Sequence, residues 1–263
     1  DPVRAEAVPV RPVSSDGVPA PGESSRPGGT LRGRLTRLGF TDPGRSAELL
    51  ADPDLVGLVG PLDDASPLLE ALGVVASPDE ALLALTRLAS VPPAEAPGLR
   101  EVLATADPVR ERLLAVLGAS TALADHLVRH PGDLAALAEP SPIGADAGQV
   151  RTELLEAVGA AGSDAAGSDA SGEPDVPGAP DVPVATVTGT PGVDAMRRAY
   201  RRRLLRIAAA DLTSAEPLSL LPAVGAALAD LAAAALEAAL ALARAEQPEH
   251  GRIARLAVIG MGK

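Results

Sequence analysis

Leucine recurs at helical spacing through residues 31–140, and strand patterns are almost absent there. Leu31, Leu35 and Leu38 follow one another at intervals of three and four, the repeat of one face of an α-helix. β-Branched residues are scattered and do not alternate with polar ones, as they would in a half-buried strand. We therefore predict an all-helical domain over residues 31–140, with a core of leucine, valine and alanine.

Proline after a polar residue marks where several of these helices start. Thr41-Asp42-Pro43 and Ser77-Pro78-Asp79-Glu80 each place an N-cap residue before a proline at the first helical position. The helix that follows Ser77 should end before Pro92-Pro93, because proline cannot continue a helix. The same rules predict further helices at residues 97–104, 108–117 and 120–130.

Two segments lack sustained helical periodicity. Residues 1–30 are rich in proline, serine and glycine and lack the apolar run of a signal peptide, which predicts a disordered arm. Residues 141–192 are predicted to form a flexible acidic linker that carries one short helix, near residues 149–158. Its Gly-Ser-Asp repeats would also suit a calcium-binding repeat, but the ligand spacing of an EF-hand is missing.

A second helical region, residues 193–252, begins with a basic helix. An apolar stripe runs along it at spacings of four, four and three, made by Met196, Tyr200, Leu204 and Ile207. Leu205 lies off this stripe, so the helix is expected to contact protein on two sides.

Arg198, Arg202 and Arg206 form a separate row on the basic helix at i, i+4 and i+8. One hypothesis is that these guanidinium groups bind a phosphate or an acidic partner. The other is that they belong to a solvated face that pairs with acidic groups elsewhere in the protein, the more usual role of a charge run.

Residues 223–243 are rich in alanine and leucine and are long enough to cross a membrane. Asp230 and Glu237 would each cost about 3 kcal/mol near the middle of a spanning helix, whereas each leucine contributes only about −0.3 to −0.6 kcal/mol. We therefore predict a soluble, largely buried helix that ends at Gln247-Pro248.

Charge and composition argue against several function classes. The formal net charge of −12 disfavours non-specific binding to nucleic acid or to an anionic membrane. Phe40 and Tyr200 are the only aromatic residues, so base stacking is nearly excluded, and the lack of cysteine suits a cytoplasmic protein. His126 and His130 have a zinc-like spacing, but no third ligand is apparent, and we predict no metal site in the chain.

Residues 255–263 combine an apolar run, a glycine turn and the only lysine of the chain. The uncharged run Leu256–Ile259 predicts a buried strand. Gly260 and Gly262 allow the backbone to approach a phosphate closely, and Lys263 adds a cation. We predict that these three residues contact a nucleotide.

Spacing alone leaves four interpretations of this turn open. A P-loop would need a glycine where Ala257 stands, and a dinucleotide fingerprint would need a third glycine further on. In a nucleotidyltransferase, a second strand would carry two carboxylates at i and i+2, on one face, to hold two metal ions. The fourth interpretation is a buried strand that simply ends in glycines.

Four stretches, in this order, resemble the bifunctional glutamine synthetase adenylyltransferase/adenylyl-removing enzymes. They are LLAVLGAS at residues 113–120, HLVRHP at 126–131, YRRRLLRIA at 200–208 and LAVIGMGK at 256–263. The long alanine-rich helix lies between the last two. The resemblance covers about residues 31–140 and 193–263 and leaves out the arm and the linker.

The resemblance implies a mainly α fold, in which a helical bundle region leads into a truncated α/β nucleotidyltransferase domain. Only the first strand of that domain, Leu256–Ile259 within residues 253–263, is expected here. Lys263 after Gly-Met-Gly resembles the first of two tandem halves in the family, which removes AMP from a tyrosine of glutamine synthetase by phosphorolysis and releases ADP. The second half attaches AMP from ATP. Both halves use Mg²⁺ and are governed by glutamine and a PII-type signal protein.

The resemblance also implies that the metal-holding carboxylates follow after Lys263, outside the sequence in hand. Because phosphoryl transfer needs such groups to hold the metal, we expect this chain to be inactive by itself. The competing interpretation is a non-catalytic helical module for protein interaction, which would account for the helices and the acidic surface without a catalytic site.

Overall fold

The computed structural model of the chain describes residues 30–61, 66–138, 143, 146–160 and 182–247, and this part is built of helices without strands. The helices in chain order are α1 (Leu31–Arg37), α2 (Pro43–Leu50), α3 (Pro53–Val59), α4 (Pro67–Gly73), α5 (Pro78–Ala89), α6 (Leu99–Ala104), α7 (Pro108–Ala119), α8 (Thr121–Arg129), a 3-10 helix (Pro131–Leu137), α9 (Ala147–Ala157), α10 (Gly189–Leu212) and α11 (Pro217–Glu246). The mainly α prediction is confirmed for these residues. The strand and glycine turn predicted at residues 253–263, like the arm before residue 30, lie outside them.

The predicted helix starts are confirmed by their N-caps. A carboxylate oxygen of Asp42 accepts a hydrogen bond from the backbone N–H of Arg45 at 3.0 Å, and Pro43 opens α2. The hydroxyl of Ser77 accepts from the N–H of Glu80 at 3.4 Å, and Pro78 opens α5. Each cap satisfies a backbone donor that the first helical turn cannot pair.

Two apolar cores share helix α10. The first is enclosed by α1–α8 and the 3-10 helix, and the second by α9, α10 and α11. Helix α10 contributes Leu205 and Ala209 to the first core and Ala199 and Ile207 to the second. The expectation that this helix contacts protein on two sides is confirmed, and residues 31–138 are joined to the second helical region through it.

Part of the predicted linker is built into the second core. Helix α9 packs against α11, and the carbonyl of Val158 accepts hydrogen bonds from the N–H groups of Thr186 and Val187 at 3.2 and 3.1 Å. Gly159 has a φ of +67°, and a Cβ there would lie 2.0 Å from the hydroxyl oxygen of Thr186, so this turn requires glycine. The helix after the linker begins at Gly189, four residues before the predicted start. Residues 161–181 lie outside the described residues.

Helix α11 is less buried than its sequence suggested. In the described part of the chain, Pro217–Glu246 is the one helix that is long and apolar enough to cross a membrane, judged by length and composition. Only 28% of an apolar 18-residue stretch of this helix is buried. The prediction of a largely buried helix is wrong, because α9 and α10 cover one side only. Its uncovered large side chains are Leu218, Leu221, Leu228 and Leu236.

Candidate functional sites

The nucleotide contacts predicted from sequence, Gly260, Gly262 and Lys263, lie outside the described residues. The structure therefore leaves their role as a prediction. Among the residues it does describe, no three His, Cys, Asp or Glu side chains are placed to hold a metal ion together. The Mg²⁺ that the family resemblance implies has no ligand set there, so we assign no metal-dependent step to these residues.

A buried polar cluster joins α8, the 3-10 helix and α10. The ring Nε2–H of His126 donates to Oδ2 of Asp133 at 3.0 Å, and both side chains are buried. Arg198 reaches the same carboxylate with two hydrogen bonds, Nε to Oδ2 at 3.2 Å and a terminal nitrogen to Oδ1 at 3.1 Å. His130 stands beside it, with its ring centroid 5.0 Å from that of His126. His126 thus pairs with the carboxylate, and His130 contacts the ring of His126.

The electrostatics of the cluster follow from this geometry. Burial by itself raises the pKa of Asp133, but the hydrogen bonds from His126 and Arg198 outweigh it and hold that pKa at about 2. The pKa of His130 is lowered by burial and by the nearby His126 and Arg198 side chains. The cluster therefore favours an ionised aspartate and an uncharged His130.

This geometry predicts a pH-dependent effect of Asp133→Asn. Ionised Asp133 stabilises the fold above the ordinary aspartate pKa near 3.9, and this contribution is lost as the pH falls towards 2. Asparagine cannot ionise and lacks this dependence. The variant should be less stable than the parent at pH 5, and the difference should shrink by about 1 kcal/mol at pH 3. Urea unfolding at the two pH values measures this, and an equal difference at both would contradict it.

A second ion-pair cluster fixes α10 to α9. One terminal nitrogen of Arg203, whose side chain is buried, donates to both carboxylate oxygens of Glu153 at 3.2 and 3.3 Å. Arg206 approaches the same carboxylate at 3.8 Å. Glu153 thus provides the negative charge for two arginines of a helix that lies between the two cores.

The three arginines of the predicted row have different surroundings. Arg198 pairs with Asp133, and Arg206 pairs with Glu153. These two pairs agree with the hypothesis that the row pairs with acidic groups elsewhere in the protein. Arg202 is exposed and forms no ion pair with a described residue. The row does not form one open surface, and its proposed role in binding stays a prediction.

Sequence reasoning did not identify Asp133 or Glu153, because their partners lie 65 and 50 residues away along the chain. A local signal existed only for Asp133, a carboxylate between Gly132 and Leu134 soon after two histidines. A cavity of about 600 Å³ lies elsewhere, between α4, α7 and the end of α10. Its charged lining residues are Asp107, Arg110 and Glu111.

Comparison with known proteins supplies the family. A protein of Streptomyces avermitilis named bifunctional glutamine synthetase adenylyltransferase/adenylyl-removing enzyme is 41% identical over 235 residues, which is 88% of this chain. Proteins with the same name from Streptomyces coelicolor and Cutibacterium acnes are 42% identical over 88% of the chain and 43% identical over 69%. The chain belongs to this enzyme family, matching part of its members' length.

The match covers a small part of each relative. The chain spans about a fifth of the length of the two Streptomyces adenylyltransferases, 19% in each case, and 16% of the Cutibacterium protein. No family model matches the chain. No solved structure matches it either. The family resemblance drawn from the four sequence stretches is confirmed. A match to so small a part of the relatives does not show that this chain has their activity.

Proposed function

We propose that this chain supplies a helical part of an enzyme that controls glutamine synthetase by attaching AMP to a tyrosine and removing it again. The observation that carries the proposal is the 41% identity over 88% of the chain to a relative whose name states both activities. A match over 88% of the chain includes helix α10 and most of the two helical cores that it joins. Their proposed contribution is a scaffold that places the catalytic parts of the enzyme against glutamine synthetase.

The two reactions would be related displacements at phosphorus. In removal, an oxygen of inorganic phosphate attacks the phosphorus of the AMP–tyrosine bond, the tyrosine oxygen leaves and takes a proton, and ADP is released. In attachment, the tyrosine hydroxyl attacks the α-phosphorus of ATP, loses its proton, and pyrophosphate leaves. Negative charge would spread over the phosphoryl oxygens in both, and a cation such as Mg²⁺ would offset it.

The proposal carries several further expectations. Gly260, Gly262 and Lys263 would contact the nucleotide through backbone N–H groups and one cation. Glutamine synthetase, ATP or ADP, phosphate and a PII-type signal protein would be the partners, in the cytoplasm. We propose that the chain does not catalyse either reaction alone, since it spans about a fifth of the relatives that carry the activity in their names.

The proposal is tested in the organism that encodes the chain. Deleting the coding region of residues 31–247 should fix glutamine synthetase in one adenylylation state when the nitrogen supply is raised or lowered. Mass spectrometry of the tyrosine-containing peptide of glutamine synthetase measures that state. Supplying an intact copy of the gene in trans should restore the response of the adenylylation state to the nitrogen supply. An adenylylation state that still follows the nitrogen supply after deletion would contradict the proposal.

A further inference from the structure

Helix α10 presents a group of arginines that the ion-pair clusters do not use. Arg197 and Arg201 lie one turn apart on one face, and Arg202 lies beside them. The side chain of Arg197 is 67% exposed, Arg202 is exposed and Arg201 is half-buried. We call these three residues the arginine face. They occupy positions where a guanidinium group can reach a ligand in solution.

Asp125 and Asp133, two carboxylates on elements that pack against α10, form their ion pairs with other residues. Asp125 forms its ion pair with Arg87 at 2.6 Å, and Asp133 is held by Arg198 and His126. Among the described carboxylates, Asp194 forms an ion pair with the face, at 3.8 Å from Arg197, which is close to the limit of an ion pair. Within the described residues, Arg201 and Arg202 form no ion pair. Two of the three arginines of the face therefore have no ion-pair partner in the part of the chain that the structure describes.

A further exposed arginine, Arg129, lies on α8. Its Nε–H donates to the carbonyl of Asp125 in its own helix at 3.0 Å, and the residue is exposed. The ion pair with Arg87 is the main cause of a lowered pKa of the Asp125 carboxyl, and the charges of Arg129 and Arg201 contribute to it.

We propose that the arginine face binds a short acidic segment of a partner protein. The planar guanidinium group donates two parallel hydrogen bonds to a carboxylate, and such charge-assisted pairs are roughly twice as strong as neutral ones. From Arg197 to Arg202 the helix advances about 7.5 Å, at about 1.5 Å per residue. That length matches a few carboxylates rather than an extended polyanion.

The rest of the chain disfavours nucleic acid as the ligand. A duplex carries one phosphate charge per about 1.7 Å and would run past the arginine face over an acidic protein. The formal net charge of −12 would repel it there. Of the two aromatic residues, Phe40 is buried and Tyr200 packs against the second core, so neither provides an open platform for bases. This inference does not depend on the proposed enzymatic function.

The experiment compares two triple variants of the full chain that change the net charge equally. In one, Arg197, Arg201 and Arg202 become glutamine. In the matched control, three exposed arginines of α1 and α2 become glutamine: Arg32→Gln, Arg37→Gln and Arg45→Gln. The probe is a fluorescent glutamate-rich peptide of about a dozen residues, read by anisotropy at low salt and at physiological salt. A single-stranded DNA oligonucleotide of equal charge is measured in parallel, and circular dichroism verifies that both variants are folded.

The parent chain should bind the peptide more tightly than the oligonucleotide. The variant of the arginine face should weaken peptide binding about tenfold or more, the loss of at least one charge-assisted contact, and the control should leave it nearly unchanged. Equal losses in both variants would show long-range attraction only and would overturn the proposal. Absence of peptide binding by the parent, or tighter binding of the oligonucleotide, would overturn it as well.

Discussion

Replacing Glu153 with alanine is expected to lower the free energy of unfolding by about 2–3 kcal/mol. The side chain of Arg203 is only 5% exposed and donates to both carboxylate oxygens of Glu153. Removing the carboxylate leaves a buried guanidinium charge without its counter-ion, and desolvation of that charge is then uncompensated. The partial exposure of Glu153 keeps the expected loss below that of a fully buried pair.

Glu156→Ala is the matched control, because Glu156 is exposed on the same helix and its substitution should cost less than about 0.5 kcal/mol. A second variant separates the lost ion pair from lost helix stability in α9. Adding Arg203→Met to Glu153→Ala should recover part of the loss, since an apolar side chain tolerates the buried position. Urea unfolding at neutral pH measures all three. Equal stability of the Glu153→Ala and Glu156→Ala variants would contradict this role for Glu153.

Replacing Leu205 with alanine should cost about 3 kcal/mol. Leu205 is fully buried in the first core, although it is carried by the helix that also forms the second core. The substitution removes apolar contacts and leaves a cavity at the place where the two cores are joined. We expect the loss to appear in one cooperative transition.

Leu218→Ala provides the comparison for this substitution, since Leu218 on α11 is 86% exposed and buries little surface. Its stability should stay within about 0.5 kcal/mol of the parent. Circular dichroism followed through thermal and urea unfolding reports both variants. A small loss in the Leu205→Ala variant would show that α10 is not built into the first core.

Features encoded within a few residues could be predicted from the sequence. The N-caps at Asp42 and Ser77 lie immediately before prolines and mark helix starts. The position of Leu205 off the apolar stripe predicted the two contact sides of α10, because helical spacing alone determines that angle. Helices α3 and α4 also begin with a polar residue and a proline, at Asp52 and Ser66. They were not predicted, because each is short and shows little apolar periodicity.

Features that depend on distant partners could not be predicted. The alanine- and leucine-rich sequence of residues 223–243 does not tell which side α9 and α10 will cover, so the exposure of Leu228 and Leu236 was missed. The pairing of Glu153 with Arg203 and of Asp133 with Arg198 depends on how three helices meet. The family, in contrast, was recognisable from four short stretches, whose order along the chain made the resemblance specific.

We expect this chain to serve as the helical part of a glutamine synthetase adenylyltransferase/adenylyl-removing enzyme. The most direct measurement uses the Streptomyces avermitilis relative with its matching 235-residue segment replaced by the corresponding residues of this chain. The assay is phosphate-dependent ADP release from adenylylated glutamine synthetase with Mg²⁺, and the isolated chain is tested beside the chimaera. We predict ADP release by the chimaera and none by the isolated chain. A chimaera that is folded by circular dichroism but releases no ADP would contradict the claim.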